Sequence, residues 1–97
     1  MITFYAIQVG VDSNGVRQFL GKDGVSISST NVKLWSRPGE VEKVVARLER
    51  AINRRAYHSE SILAAAHVAK RKCGENVKVR IVSASIHIGD PVKLEDV

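Results

Sequence analysis

Four cations, Lys43, Arg47, Arg50 and Arg54, follow one another at steps of four, three and four residues. At ~100° of rotation per residue, this spacing gathers them into one narrow stripe of a helix. Three of the four are arginines, whose planar guanidinium pairs with a phosphate or a carboxylate through two parallel hydrogen bonds. Glu42 and Glu49 fall on the flank of the stripe and not between its members, so the cations repel one another along the helix. An anionic surface would relieve that repulsion. Arg55 and the cluster Lys70, Arg71 and Lys72 extend the same field. The chemistry expected is electrostatic docking, with Lys43, Arg47, Arg50, Arg54, Arg55, Lys70 and Arg71 as the binding residues. The plainer reading of the same charges is a solvated helix face, its long basic side chains lying over the surface.

Other chemistry finds little to stand on. His58, His67, Cys73 and His87 are the conventional soft metal ligands, and their spacing matches no compact zinc arrangement, so no metal is expected. Cys73 falls on the inner face of a helix and reads as a small buried hydrophobe. The seven glycines are separated by turns, and none belongs to a phosphate-cradling motif ahead of a helix. Asp23, Asp90 and Asp96 are scattered and form no acid and base pair. Neither a catalytic centre nor a cofactor is expected. Trp35 and Tyr57 are candidates to stack on a base, but aromatic residues make up only 5% of the chain, and a single tryptophan in a small domain is more often core.

The chain has 97 residues, 44% of them hydrophobic, which suffices for one modest core: a single α+β domain over 1–97. The net charge of +5 draws polyanions before any specific contact forms. With one cysteine there is no intramolecular disulfide, which favours a reducing cytoplasm. No leader is expected at the N-terminus and no stretch reaches the ~18 apolar residues that span a bilayer, so no membrane association is expected.

The elements that must carry the stripe follow from periodicity. Ile2 to Val9 alternates as a strand with both faces at least partly covered. Asp12, Ser13, Asn14 and Gly15 supply a hairpin turn, and Val16 to Leu20 returns. After the turn Gly21 to Gly24, Val25 to Ser28 forms a short third strand, and Val32 to Trp35 either continues it or makes a separate edge. Ser36 and Pro38 start a helix whose apolar stripe is Val41, Val44, Val45, Leu48 and Ile52. Ser59 caps a second helix with Ile62, Ala65, Ala66, Ala69 and Cys73 inside, ending at Gly74. Val77 to Ile88 is a long strand in which Val77, Val79 and Ile81 alternate one way and Val82, Ala84, Ile86 and Ile88 the other. A bulge near Val82 and Ser83 would reconcile the two runs. Gly89, Asp90 and Pro91 close it, and Val92 to Val97 is expected to fray. The fold expected is an antiparallel sheet, made of an N-terminal meander and a long C-terminal strand, packed against two helices in the order β-β-β-α-α-β.

Two resemblances bear on function. The order meander, helices, final strand, opening with Phe4-Tyr5-Ala6-Ile7 and an Asn14-Gly15 hairpin, resembles the small α+β proteins of bacteriophages and mobile elements, anti-CRISPR proteins among them. That resemblance is architectural and implies an inhibitor that occupies a host nucleoprotein complex in the cytoplasm. The partner of the stripe is then guide RNA or an acidic protein face. The run Asn31-Val32-Lys33-Leu34-Trp35, followed by helices from Pro38 and Ser59, resembles a ribbon-helix-helix DNA-binding module. It implies a dimer with Lys33 directed at bases and the region of Ser59 at phosphate. A small virion structural or assembly protein is the third class, and it predicts self-association.

Overall fold

The computed structural model describes residues 2–54, 60–86 and 94–96. Along the chain these form β1 (Ile2–Val11), β2 (Arg17–Leu20), β3 (Ile27–Ser28), α1 (Pro38–Arg54), α2 (Glu60–Cys73), a 3-10 turn (Gly74–Asn76), β4 (Val77–Ile86) and β5 (Leu94–Asp96). The strands make one open antiparallel sheet in the order β3-β2-β1-β4-β5. The expected α+β order β-β-β-α-α-β is present, with one short strand added at the end.

The sheet is built around β1, the most apolar strand. Its odd residues Tyr5, Ile7 and Val9 face the helices, because successive side chains of a strand alternate between faces. They join Leu20 of β2, Ile27 of β3 and Trp35 in a core completed by Val41, Leu48 and Ala51 of α1 and Ala65, Ala66, Ala69 and Cys73 of α2. The small residues of α2 let it lie close on the sheet, as their spacing predicts. Ala6 of β1, Phe19 of β2 and Val82 of β4 form a second, smaller cluster on the other face, with Val32 packed against it.

The two phases of the last long strand have a simpler origin than a bulge at Val82 and Ser83. Pairing of β1 with β4 runs unbroken from Ile2–Ile86 to Gln8–Arg80. Val79 and Ile81 pack against the helix-side core, while Val82 belongs to the opposite cluster, so the two apolar runs are the two faces of one strand. The irregularity lies elsewhere. Between the pairs Gln8–Arg80 and Gly10–Val77, β1 advances two residues and β4 three. Glycine is required there: a Cβ on Gly10 would sit 2.5 Å from the Asn76 carbonyl oxygen and 3.1 Å from Cys73 Sγ.

Turns are fixed by aspartates. The Asp12 carboxylate accepts the N–H groups of Asn14 (2.9 Å) and Val16 (3.0 Å) and the Gln18 side-chain amide (3.0 Å). Asp23 accepts from Val25 N–H at 3.0 Å and from both Ser26 N–H and Ser26 Oγ at 2.8 Å. Short polar side chains that bond to backbone two to four residues on fold such turns locally.

Two further expectations are refined. The segment 32–35 is a separate edge: Val32 bridges Gly21, and Trp35 exchanges both backbone hydrogen bonds with Tyr5, at 2.7 and 2.8 Å. The expected fraying tail instead contains β5, paired with β4 at Ala84–Leu94, Ser83–Glu95 and Val82–Asp96. Backbone pairing along the open edge of β4 secures residues that apolar content alone would leave loose. Ser59, Gly89, Asp90 and Pro91 lie outside the described residues.

Candidate docking face

α1 begins at Pro38, whose missing N–H costs nothing in a first turn, and Glu40 stands in that turn where the helix dipole favours negative charge. Val41 and Leu48 are fully buried, and Val44, Val45 and Ile52 pack against the same core. Burying a side chain the size of Leu48 stabilises the fold by roughly 2 kcal/mol, so this inner stripe sets the rotation of the helix about its axis. That rotation decides what faces outward.

Lys43, Arg47 and Arg50 are all exposed. At ~100° per residue they lie roughly 140° around the helix from the buried stripe. Arg54 closes the helix in the same phase, and Lys43 to Arg54 spans ~16 Å at ~1.5 Å per residue. Arg55 lies outside the described residues. Lys70 and Arg71 are exposed in the last turn of α2, where cations complement the negative end of the helix dipole. This end is tied to the sheet: Lys72 Nζ donates to the Ile27 carbonyl, and Cys73 lies under Gly10. Lys70 and Arg71 therefore form a second basic patch, carried by another helix. The structure brings Lys43, Arg47 and Arg50 together on one face.

Beside the stripe lies a feature the sequence reading did not single out. Ala46, Glu49, Arg50 and Asn53 line a shallow concavity of about 270 Å³ on α1. Their spacing of i, i+3, i+4 and i+7 was the available signal. Ala46 is half-buried, and its small side chain leaves the hollow.

Another concavity, of about 640 Å³, opens where the β1–β2 hairpin separates from the start of β4, between Gln8, Asp12, Glu75, Lys78 and Arg80. Its charges are of mixed sign. The Asp12 carboxyl is held below its usual range, first by the Val16 N–H and also by the Asn14 N–H, the Gln18 amide and the charge of Lys72. It is engaged in holding the hairpin. Burial pushes the Cys73 thiol up, and the Asp12 charge adds to the effect, so at neutral pH the sulfur stays protonated. Among the described residues no three of His, Cys, Asp or Glu come together as a metal site. His58 and His87 lie outside those residues.

The described aromatic rings are buried or half-buried. Trp35 and Phe19 are buried, Phe4 and Tyr5 half-buried, and the Lys33 ammonium sits 5.2 Å from the centre of the Trp35 ring. Tyr57 lies outside the described residues. Among these residues, no helix is long and apolar enough to cross a membrane. No protein-family model matches the chain, and neither a curated protein nor a solved structure shows significant similarity to it.

Proposed function

We propose that this chain is a non-enzymatic binding protein that docks the cationic face of α1 on an anionic partner. In this reading it is an inhibitor of the anti-CRISPR kind, occupying a host nucleoprotein complex in the cytoplasm. The observation that carries it is the placement of Lys43, Arg47 and Arg50 together on the exposed side of a helix whose opposite side is anchored by Val41 and Leu48. With its inner side packed, the helix itself needs no rearrangement to dock, and the ordering cost of binding falls on the exposed lysine and arginine side chains. In this reading charge drives the contact, and the described aromatic rings are buried or half-buried.

The ribbon-helix-helix alternative requires the strand around Lys33 to pair across a dimer. Here that strand is consumed within the chain. Trp35 exchanges hydrogen bonds with Tyr5, and Lys33 N–H donates to the Leu20 carbonyl at 3.0 Å, so the ribbon would have to leave the sheet to meet a second copy.

The test is capture from cells containing a CRISPR effector. Tagged wild-type protein is expected to recover the complex, and Arg47→Glu with Arg50→Glu to lose it. Equal capture by both would remove the stripe from the mechanism.

A further inference from the structure

We propose that Asn14, at the tip of the β1–β2 hairpin, is a site of spontaneous modification in the folded protein, converting to aspartate and isoaspartate at a rate set by Asp12.

The reaction needs a side-chain carboxamide and the backbone nitrogen of the residue that follows it. The Gly15 nitrogen gives up its proton and attacks Asn14 Cγ. A C–N bond forms, the bond from Cγ to Nδ2 breaks, and Nδ2 takes a proton and leaves as ammonia. Water then adds to one or the other carbonyl of the five-membered succinimide, which opens to aspartate or isoaspartate. No further reactant is required. A side chain on the following residue hinders the attack, and glycine has none. Of Asn14, Asn31, Asn53 and Asn76, only Asn14 precedes a glycine; the others precede Val32, Arg54 and Val77.

The surroundings leave the site open. Asn14 is exposed, and its carboxamide makes no hydrogen bond among the described residues. A Cβ built on Gly15 would meet nothing within 4 Å, so no neighbour crowds the attacking nitrogen. The restraint comes from the turn itself. Gly15 N–H donates to the Asp12 carbonyl at 3.1 Å, and on either side of it the Asp12 carboxylate accepts the N–H groups of Asn14 at 2.9 Å and Val16 at 3.0 Å. The nitrogen is free to react only while the tip is open. Its rate in the folded chain is then the rate of the unrestrained chain multiplied by the open fraction. Asp12, by holding both flanks, sets that fraction.

A second turn supplies the contrast. Asp23 also precedes a glycine, Gly24, with surroundings equally open. Its carboxylate accepts the Val25 N–H, the Ser26 N–H and Ser26 Oγ, contacts that favour the ionised form. An ionised carboxylate offers no good leaving group, so this turn resists the same ring closure. Conversion at Asn14 has two consequences for the hairpin. It puts a new carboxylate two residues from Asp12, and isoaspartate adds a CH₂ to the main chain where the turn fixes the register of the strands.

The experiment incubates the whole protein at neutral pH, folded and unfolded in denaturant, and follows by peptide mass spectrometry the mass gain that accompanies exchange of NH₂ for OH. The peptide containing Asn14 is expected to gain it in both states, about tenfold more slowly in the folded one. Asp12→Ala, with circular dichroism confirming the fold, is expected to raise the folded rate about tenfold. Asp12→Ser, whose hydroxyl still accepts an N–H, is expected to fall between Asp12→Ala and wild type. No gain in the folded wild type by the time the unfolded chain is wholly converted would overturn the proposal. Equal folded rates in wild type and Asp12→Ala would remove Asp12 from it. Isoaspartate forming faster at Asp23 than at Asn14 would show that the wrong turn had been chosen.

Discussion

The Asp12 carboxylate accepts the Val16 N–H at 3.0 Å, closing the β1–β2 hairpin through a side chain. The bond makes the hairpin sensitive to acid. Asp12 has its pKa lowered chiefly by that contact, and Asp23 has its own lowered chiefly by the Ser26 N–H. A carboxyl with a lowered folded-state pKa contributes stability that is present above its unfolded value, near 3.8, and is lost as pH falls through the folded one.

The midpoint of thermal unfolding is therefore expected to hold steady from neutral pH down to the ordinary aspartate range and then to drop. Asp12→Ala is expected to lower the midpoint at pH 7 and to flatten the drop. Calorimetry across pH checks both. An Asp12→Ala profile parallel to wild type would show that the hairpin does not titrate through this residue.

Gly10→Ala places a methyl group 2.5 Å from the Asn76 carbonyl oxygen, a contact that only backbone movement can relieve. A loss of about 2 kcal/mol is expected. Chemical denaturation measures it. A neutral result would mean that the 3-10 turn yields freely.

Leu48 and Arg47 are neighbours in sequence with opposite duties. Leu48→Ala is expected to cost about 3 kcal/mol by opening a cavity between α1 and the sheet. Arg47→Glu, on the exposed side, is expected to change stability by less than about 0.5 kcal/mol. Matched denaturation curves separate the two, and a large loss in Arg47→Glu would assign that arginine a structural role.

Cys73 is buried, and its thiol is pushed up by desolvation and by the Asp12 charge. Alkylation at pH 7 is expected to be slow in the native protein and to accelerate sharply once denaturant unfolds it, because the thiolate is the reactive species. Rapid labelling of native protein would place the sulfur at the surface.

The elements that carry α1 were legible because one period settles them. Val41, Val44, Val45, Leu48 and Ile52 repeat at helical spacing, and no other arrangement buries them together. α2 was legible through Ala65, Ala66 and Ala69 for the same reason. The last long strand was harder. Val79 and Val82 read as a change of phase because a strand covered on both faces carries apolar residues on each, and a single sequence does not say which neighbour covers which. β5 was not legible at all: Leu94-Glu95-Asp96 has no β character of its own and is held by pairing with β4. The stripe followed from α1, whereas the hole at Ala46 depends on how much room its neighbours leave, and that is a property of packed side chains.

The most direct measurement is the dissociation constant of a purified CRISPR effector complex, the partner proposed above, for wild type and for Arg47→Glu with Arg50→Glu, at one salt concentration and with equal thermal stability established first. Docking through the cationic face of α1 predicts that the double reversal binds about a hundredfold more weakly or worse, since like charges brought together at a contact cost several kcal/mol. Affinities within a factor of about two, where surface substitutions away from an interface ordinarily fall, would contradict it.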